Sequence, residues 1–315
     1  MRPVHKTWAS VVTLTVALLL TITACGGSKN DPLATTTSSS ASTGASGAAG
    51  TIVVGSAAFP ESTLIGNIYM AALQAKGVKV SSKFAIGNRE AYLPGLSDGS
   101  IDLIAEYTGN LLQYYDKAYT ATTGDQVYSQ LKSKVPADLT VLDESKAQDT
   151  DAVVVTKETA AKYNLKSIAD LAPVAGQLTL GGSAEWKTRP KSGVPALKSV
   201  YGVTFKNYIT LDAGDKLSKN ALKTGRVQAT DIFSTDVDIT KNGWVVLTDP
   251  KGMFSAQNVV PLVNKAKASD TVTAALNAVS AKMTTEGLLA LNAEVAGGKD
   301  PAVVAKEWLS KQGLI

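Results

Sequence analysis

The stretch GSIDLIAEYTGN, residues 99–110, joins an apolar run to a concentrated group of polar and aromatic side chains. Its first half suits a strand inside a sheet, because apolar residues follow one another there with little interruption. Gly109 predicts a sharp turn just after the strand. The residues at the strand's end combine a carboxylate, a ring, a hydroxyl and an amide: Glu106, Tyr107, Thr108 and Asn110. Such a group could hold a small molecule or, with a second carboxylate opposite, perform acid–base chemistry.

A second segment repeats this arrangement. The stretches LSDGSIDLIAEYT (96–108) and LKTGRVQATDIFS (222–234) each contain a leucine at a helix end, a glycine, a strand, and an aromatic residue followed by a hydroxyl. In open α/β sheets, ligands bind at the carboxyl ends of strands. The repeat therefore predicts a cleft with Tyr107-Thr108 on one wall and Phe233-Ser234 on the other. The alternative is a coincidental likeness of two helix–strand units.

The near absence of histidine and cysteine restricts the chemistry. His5 and Cys25 are the single residues of their types in the chain. Ser-His-Asp and Cys-His mechanisms, and zinc sites built on these ligands, are therefore excluded from the folded body. A hydrolase using the carboxylates of Glu106 and Asp151 stays open as an alternative. We expect no metal and no cofactor.

The N-terminal region predicts export and anchoring. Residues 1–24 begin with basic residues, continue with a short apolar run and end in LTITA before Cys25, which resembles the lipobox of bacterial lipoproteins. An ordinary export signal is the alternative. Residues 25–50 predict a flexible linker, because every residue from Thr35 to Gly50 is Thr, Ser, Ala or Gly. Lipid on Cys25 would hold the protein at the membrane surface.

From Thr51 onward, short β-rich runs alternate with helical patterns, which predicts α/β lobes with parallel sheets. The formal net charge of +4 includes no basic block, so a nucleic-acid partner is not expected. The predicted strands are Thr51–Ser56, Lys79–Ile86, Ile101–Tyr107, Ala152–Thr156, Gln177–Leu180, Tyr208–Leu211, Val227–Phe233, Trp244–Leu247 and Val259–Val263. The predicted helices include Glu61–Lys76, Asp215–Lys223, Asp270–Met283, Glu286–Val295 and Pro301–Lys311.

Motifs spread over this body resemble one known family. They are Gly55-Ser56 with FPES at 59–62, the segment 101–109, Arg189-Pro190, Tyr201-Gly202, FSTD at 233–236, VVPL at 259–262 and the tail 292–309. Together they resemble the substrate-binding lipoprotein of an osmoprotectant (glycine betaine/choline-type) ABC importer. The resemblance implies a monomer on the extracytoplasmic side of the cell membrane that delivers solute to an ABC permease.

The resemblance also implies the fold and its division. We expect a two-lobed periplasmic-binding-protein-like (type II) α/β fold, with a ligand cleft between the lobes and two crossing strands. Lobe one would comprise residues 51–151 and 259–315, and lobe two residues 152–258. The crossings would lie near 150–155 and 254–260.

The same resemblance assigns binding roles. A quaternary ammonium has no hydrogen-bond donor and is held by the faces of aromatic rings. Tyr107 matches a ring of the family's aromatic cage, Phe233 occupies another cage position, and Phe254 matches a third. Thr108 and Ser234 stand beside the rings. Arg189 matches a basic residue that pairs with a betaine carboxylate in some relatives.

Three positions depart from the family pattern. Asp151 replaces an aromatic residue, Ala57 replaces Gln or Lys, and Asn110 replaces Thr or Asp. Asp151 could pair with a cation, which would favour a choline-like ligand. Asp151 and Asn110 could equally bind the hydroxyls of a neutral polyhydroxylated or aromatic solute. We interpret Arg89-Glu90 as a surface ion pair, with a place in the cleft as the alternative. A surface adhesin or sensor is a further hypothesis.

Overall fold

The computed structural model describes residues 50–121 and 123–315. The predicted signal peptide, Cys25 and all but the end of the linker lie outside these residues. Within the described part of the chain, no helix is both long and apolar enough to cross a membrane. The strands there are β1 (Ile52–Gly55), β2 (Val80–Lys83), β3 (Leu103–Tyr107), β4 (Leu139–Val141), β5 (Asp151–Val155), β6 (Thr179–Gly182), β7 (Asn207–Thr210), β8 (Ala229–Phe233), β9 (Val245–Val246) and β10 (Val259–Asn264).

The helices surround these strands, and most begin where the sequence offers a cap or a proline. Pro60 and Pro301 each stand in the first turn of a helix, where a missing N–H costs nothing. The helices are α1 (Pro60–Ala75), α2 (Arg89–Ser97), α3 (Thr108–Tyr115), α4 (Gly124–Lys134), α5 (Lys157–Tyr163), α6 (Ala184–Thr188), α7 (Val194–Tyr201), α8 (Lys216–Lys223), α9 (Val237–Lys241), α10 (Asp270–Lys282), α11 (Thr285–Ala296) and α12 (Pro301–Lys311). Three 3₁₀ turns add Ile168–Leu171, Ala175–Gln177 and Lys265–Lys267.

The strands form two five-stranded sheets, ordered β2-β1-β3-β10-β4 and β7-β6-β8-β5-β9. We call the parts of the chain around these sheets lobe one and lobe two; the residue boundaries given above stay a prediction. Each sheet is mixed, so the expectation of parallel sheets is wrong in part. The strands β10 and β5 each run antiparallel to both of their neighbours. These are the strands with which the chain enters a sheet after crossing from the other lobe.

All nine predicted strands have a counterpart, but the sequence prediction missed β4. This strand has three residues, too few to show an alternating pattern. It is an edge strand whose pairing with β10 joins residues more than a hundred positions apart. No local signal could have predicted that pairing.

Apolar side chains cover both faces of each sheet. In lobe one, α1 and the C-terminal helices pack on one face, and α2, α3 and α4 pack on the other. In lobe two, the buried Trp186 and Leu197 belong to the larger core, and a smaller core lies beneath α8. Sheets covered on both faces leave strand ends as the places where polar side chains can meet.

The two crossing segments lie side by side. Gln148 and Asn258 form an isolated antiparallel bridge, and the Asp149 amide donates to the Gln257 carbonyl at 3.2 Å. Gly109 lies against these segments, inside α3, with an ordinary helical backbone. A Cβ atom there would come within 2.6 Å of the Ala256 carbonyl oxygen. The glycine therefore permits close packing, and the prediction that it permits a turn is wrong.

Candidate functional site

The ends of two equivalent strands face the cleft. Tyr107 is the last residue of β3 and Phe233 is the last residue of β8, and each strand is third in its sheet. Tyr107 pairs in register with Val259 at the start of β10, and Phe233 pairs with Asp151 at the start of β5. The prediction that the repeated segments end equivalent strands is confirmed.

One half of the cleft, which we call the aromatic half, is built on Phe59, Tyr107 and Phe233. Phe59 is the N-cap residue of α1 and lies between the other two rings. Its centroid is 6.1 Å from that of Tyr107 and 5.0 Å from that of Phe233. Sequence reasoning quoted Phe59 only as part of a motif. Its place directly before a proline that starts a helix was the available signal.

Glu61 joins the two lobes in this half. It lies in the first turn of α1 and is 6% exposed. The Tyr107 hydroxyl donates to Oε1 at 2.6 Å, and the Thr235 hydroxyl donates to Oε2 at 2.5 Å. The Asn292 amide donates to Oε2 at 2.6 Å. The Tyr107 hydroxyl therefore positions Glu61. Thr235 follows β8, so its hydrogen bond to Glu61 joins the two lobes.

A second acid lies beside Glu61. Asp149, on the first crossing segment, is 3% exposed and accepts hydrogen bonds from the Ser234 hydroxyl (3.1 Å) and the Thr235 amide (2.9 Å). Burial, followed by the negative charge of Glu61, raises the pKa of Asp149 well above its ordinary value. Sequence reasoning missed both acids. They come together only through the crossing of the chain.

A cavity of about 620 Å³ opens beside these groups. Its inner end is lined by two rings, two acids and two polar side chains: Phe59, Phe233, Glu61, Asp149, Thr235 and Asn292. Its outer wall is formed by α8 and α9 of lobe two, where Lys219 lies 3.0 Å from both Asp236 and Asp238. Aromatic side chains beside convergent polar groups are typical of small-molecule sites, and the inner end of this cavity has both.

The other half of the cleft, which we call the charged half, contains the buried Arg89. Its guanidinium donates two bonds to Glu106, each 2.9 Å long, and one across the lobes to Glu185 at 2.6 Å. Glu90 is exposed. The interpretation of Arg89-Glu90 as a surface ion pair is therefore wrong, because adjacent residues of a helix point in different directions.

Arg189 continues this network in lobe two. It donates to Asp151 at 2.5 Å, to the Asn110 oxygen at 3.2 Å and to Glu185 at 3.2 Å. The Asn110 amide donates to Asp151 at 3.1 Å. Asn110, Asp151 and Arg189, which were predicted to bind the ligand, thus form hydrogen bonds with one another. Burial raises the pKa of Glu185, but the two guanidinium groups outweigh it and hold that pKa below its ordinary value.

The loop after α6 forms further contacts between the two lobes in this half. The Lys191 amide donates to the Gln113 side chain at 2.7 Å, and the Gln113 amide donates to the Ser192 hydroxyl at 2.8 Å. The Lys191 ammonium lies 4.3 Å from the centroid of the Tyr119 ring. The two lobes are in direct contact along the charged half.

The remaining predicted residues have structural partners. The Thr108 hydroxyl donates to the Ala256 carbonyl at 3.3 Å and accepts from the Asn258 amide at 3.1 Å, so it fastens α3 to the second crossing. Ala57 lies in the core of lobe one, and Phe254 packs against the core of lobe two. Of the nine residues predicted for the ligand, Phe233 is among the described residues that line the cavity.

The proposed catalytic carboxylates are both occupied. Each oxygen of Glu106 accepts from Arg89, and the Tyr92 hydroxyl adds a bond of 2.7 Å. Asp151 accepts from Arg189 and Asn110. Both oxygens of Glu106 and Oδ2 of Asp151 are thus held by protein groups, and these are the atoms that a carboxylate hydrolase would need for activating water.

Comparison with known proteins decides the family. Residues 50–311 match the family described as "Substrate binding domain of ABC-type glycine betaine transport system". The chain belongs to this family. It is similar to the glycine betaine-binding protein YehZ of Escherichia coli K12 (28% identical, covering 84% of this chain and 92% of that one). It is also similar to the carnitine transport binding protein OpuCC of Listeria monocytogenes (27% identical, covering 83% and 86%).

A solved structure agrees. The crystal structure titled "glycine betaine/carnitine/choline ABC transporter" matches with a TM-score of 0.65 at 26% identity, over 84% of this chain and 99% of that one. The predicted family and the two-lobed type II fold are confirmed. The protein is an extracytoplasmic substrate-binding component of an ABC importer that delivers a small solute to the permease. It is not an enzyme, so the hydrolase alternative is wrong.

Proposed function

We propose that this protein captures a quaternary ammonium compound in the aromatic half of its cleft. The observation that carries the proposal is the pair of rings Phe59 and Phe233, one from each lobe, beside two buried acids in one cavity, with Tyr107 packed against Phe59. Relatives named for glycine betaine and carnitine support the same ligand class.

The chemistry of the ligand explains the lining. A quaternary ammonium head carries a full positive charge but has no hydrogen-bond donor. It is therefore stabilised by the faces of aromatic rings rather than by hydrogen-bond acceptors. Each ring contributes about 0.5–2 kcal/mol, depending on desolvation. Two or three rings with apolar burial and a counter-charge could reach about −8 kcal/mol, a micromolar affinity.

We also propose that the protein is a monomer anchored by lipid on Cys25, with residues 25–50 as its tether. The lipobox-like residues before Cys25 and the composition of the linker support this. Replacing Cys25 with Ser should release the protein from the membrane fraction, as a species with the mass of one chain, and leave ligand affinity unchanged. Retention of the variant after signal cleavage would contradict the anchor.

A second candidate is an importer for a neutral polyhydroxylated solute. It is favoured by the polar side chains of Thr235, Asn292 and Asp149 at the inner end of the cavity, which could bond hydroxyl groups. The two candidates differ in their dependence on the rings, because hydroxyl recognition needs directional partners and onium recognition needs ring faces.

Calorimetric titration of the Cys25→Ser protein separates them. Choline, glycine betaine, carnitine and sorbitol would be titrated into the protein and into Phe59→Ala, Phe233→Ala and Tyr114→Ala variants. Tyr114 is a half-exposed aromatic residue outside the cavity and serves as the control. We expect an onium compound to bind and each cavity variant to weaken it roughly ten-fold or more. Binding of sorbitol alone would overturn the proposal.

A further inference from the structure

We infer that the ligand is a net cation, a quaternary ammonium without a carboxylate, and that Glu61 and Asp149 form its counter-charge. This inference rests on the proposed function and specifies it. It separates two ligand types that share the same onium head: cationic alcohols such as choline, and zwitterions such as glycine betaine.

The first argument is the position of the acid pair. Glu61 and Asp149 both line the same cavity as Phe59 and Phe233, whose rings pack on each other with centroids 5.0 Å apart. Thr235 links them, because its hydroxyl donates to Glu61 and its amide donates to Asp149. An onium head on the two ring faces would therefore lie beside both carboxyl groups. Attraction between opposite charges is strong there because the acids are nearly excluded from water.

The second argument is that both arginines already bind groups of the protein. Guanidinium is the group best suited to bind a carboxylate, which it can hold with two parallel bonds. Arg89 is occupied by Glu106 and Glu185, and Arg189 is occupied by Asp151, Asn110 and Glu185. On Arg189, Nε alone is buried without a partner among the described residues. A ligand carboxylate would have to displace Asp151 to form a paired contact.

The third argument concerns the lysines of the outer wall. Lys219 is bound by Asp236 and Asp238. Lys216, Lys223 and Lys241 line the cavity with exposed side chains. Solvent and salt screen such charges. A zwitterion would therefore bring its carboxylate towards two buried acids with a weak cationic partner, and an unpaired buried carboxylate is costly.

The test compares choline with glycine betaine, which carry the same trimethylammonium head. Both would be titrated into the Cys25→Ser protein by calorimetry. We expect choline to bind at least about ten-fold more tightly. Asp149→Asn and Glu61→Gln should each weaken choline more than betaine and so reduce the ratio of the two affinities. Asp143→Asn, an exposed aspartate outside the cavity, makes the same change in net charge and should leave the ratio unchanged.

The outcomes are distinguishable. If neither compound binds and carnitine does not bind either, the proposed function fails. If carnitine binds and choline does not, the inference is wrong, because carnitine carries a carboxylate. If betaine binds as tightly as choline or more tightly, the inference is wrong while the proposed function stands. If choline is preferred but neither acid variant alters the ratio, the counter-charge is wrongly assigned and the inference is overturned. A variant that does not melt cooperatively is set aside, and the wild-type ratio with the other variant decides.

Discussion

In the charged half of the cleft, three acids lie against guanidinium groups: Glu106 on Arg89, Asp151 on Arg189, and Glu185 between both. In the aromatic half, Glu61 and Asp149 accept hydrogen bonds from hydroxyl and amide groups, and the structure gives neither of them an ion pair within the described residues. Both halves are buried and both join the two lobes. They differ in whether the protein itself supplies the positive charge.

This difference separates two tasks. Both guanidinium groups of the charged half are paired with acids of the protein, so this half can fix the relative position of the lobes whenever they meet. Buried ion pairs give little net stability but are costly to break. In the aromatic half, no described cation pairs with Glu61 or Asp149, so the closed form becomes favourable when a ligand brings a positive charge to them. A binding protein closes on a ligand when that ligand gains contacts from both lobes.

The largest expected effect comes from breaking the charged half at Arg89. The change Arg89→Met leaves Glu106 fully buried without its partner, which should lower the free energy of unfolding by about 3–5 kcal/mol. Denaturant titration measures it. Glu90→Gln, at the exposed neighbour, should change stability by less than about 0.5 kcal/mol. A loss below about 1 kcal/mol for Arg89→Met would show that the network is not structurally important.

The next effect comes from the glycine that lies against the crossing segments, between the two halves. Gly109→Ala places a Cβ against the Ala256 carbonyl, and overpacking of this kind costs about 1–3 kcal/mol. Gly124→Ala is the control, because its Cβ would meet Ala256 and Asn258 at an ordinary 3.7 Å. Thermal melting of both variants tests the prediction. Equal melting temperatures for the two would contradict the close packing of α3 on the crossing.

The pH dependence of stability should identify Asp149. Its raised pKa favours the protonated form in the folded state. The stability it contributes is thus fully present below its ordinary pKa of 3.8 and is lost as pH rises through the raised folded pKa. A bound cation favours the carboxylate, so ligand affinity should increase over the same interval. The difference between the wild type and Asp149→Asn isolates this group, and identical pH profiles would contradict the assignment.

The smallest effect should come from the Tyr107 hydroxyl. Tyr107→Phe removes one of three hydrogen bonds to Glu61 but keeps the ring beside Phe59. We expect a loss of about 0.5–1.5 kcal/mol in the free energy of unfolding, because one hydrogen bond is lost while Glu61 keeps its other two, and only a small change in onium affinity. Calorimetry and melting measure both. A large loss of affinity with unchanged stability would mean that the ligand contacts the hydroxyl directly.

Local pattern predicted every described strand except β4, and it predicted the equivalence of Tyr107 and Phe233. Apolar runs and helix-ending glycines are properties of short stretches, and the repeated segments kept the same spacing. The same reasoning found Asn110 as a residue of the cleft region, and the family resemblance added Asp151 and Arg189. It could not show that they bind one another, because partnership depends on how the two lobes meet.

Local sequence pattern could not predict that the acids of the aromatic half belong to the site. The bond from Thr235 to Glu61 joins residues 174 positions apart, and Asp149 reaches the site from a crossing segment with no periodicity of its own. Arg89 likewise becomes a cleft residue only because Glu106, the residue before the end of β3, lies beside the start of α2. The spacing of residues in a single sequence does not show which charged side chains meet through tertiary contacts.

The most direct measurement is a crystal structure of the protein with bound choline. The proposed site predicts the onium nitrogen within about 6 Å of the ring centroids of Phe59 and Phe233, beside the carboxyl groups of Glu61 and Asp149. It also predicts that Arg189 still holds Asp151. An onium nitrogen found against Asp151, with Arg189 displaced, would contradict the division of the cleft into a charged half that positions the lobes and an aromatic half that binds the ligand.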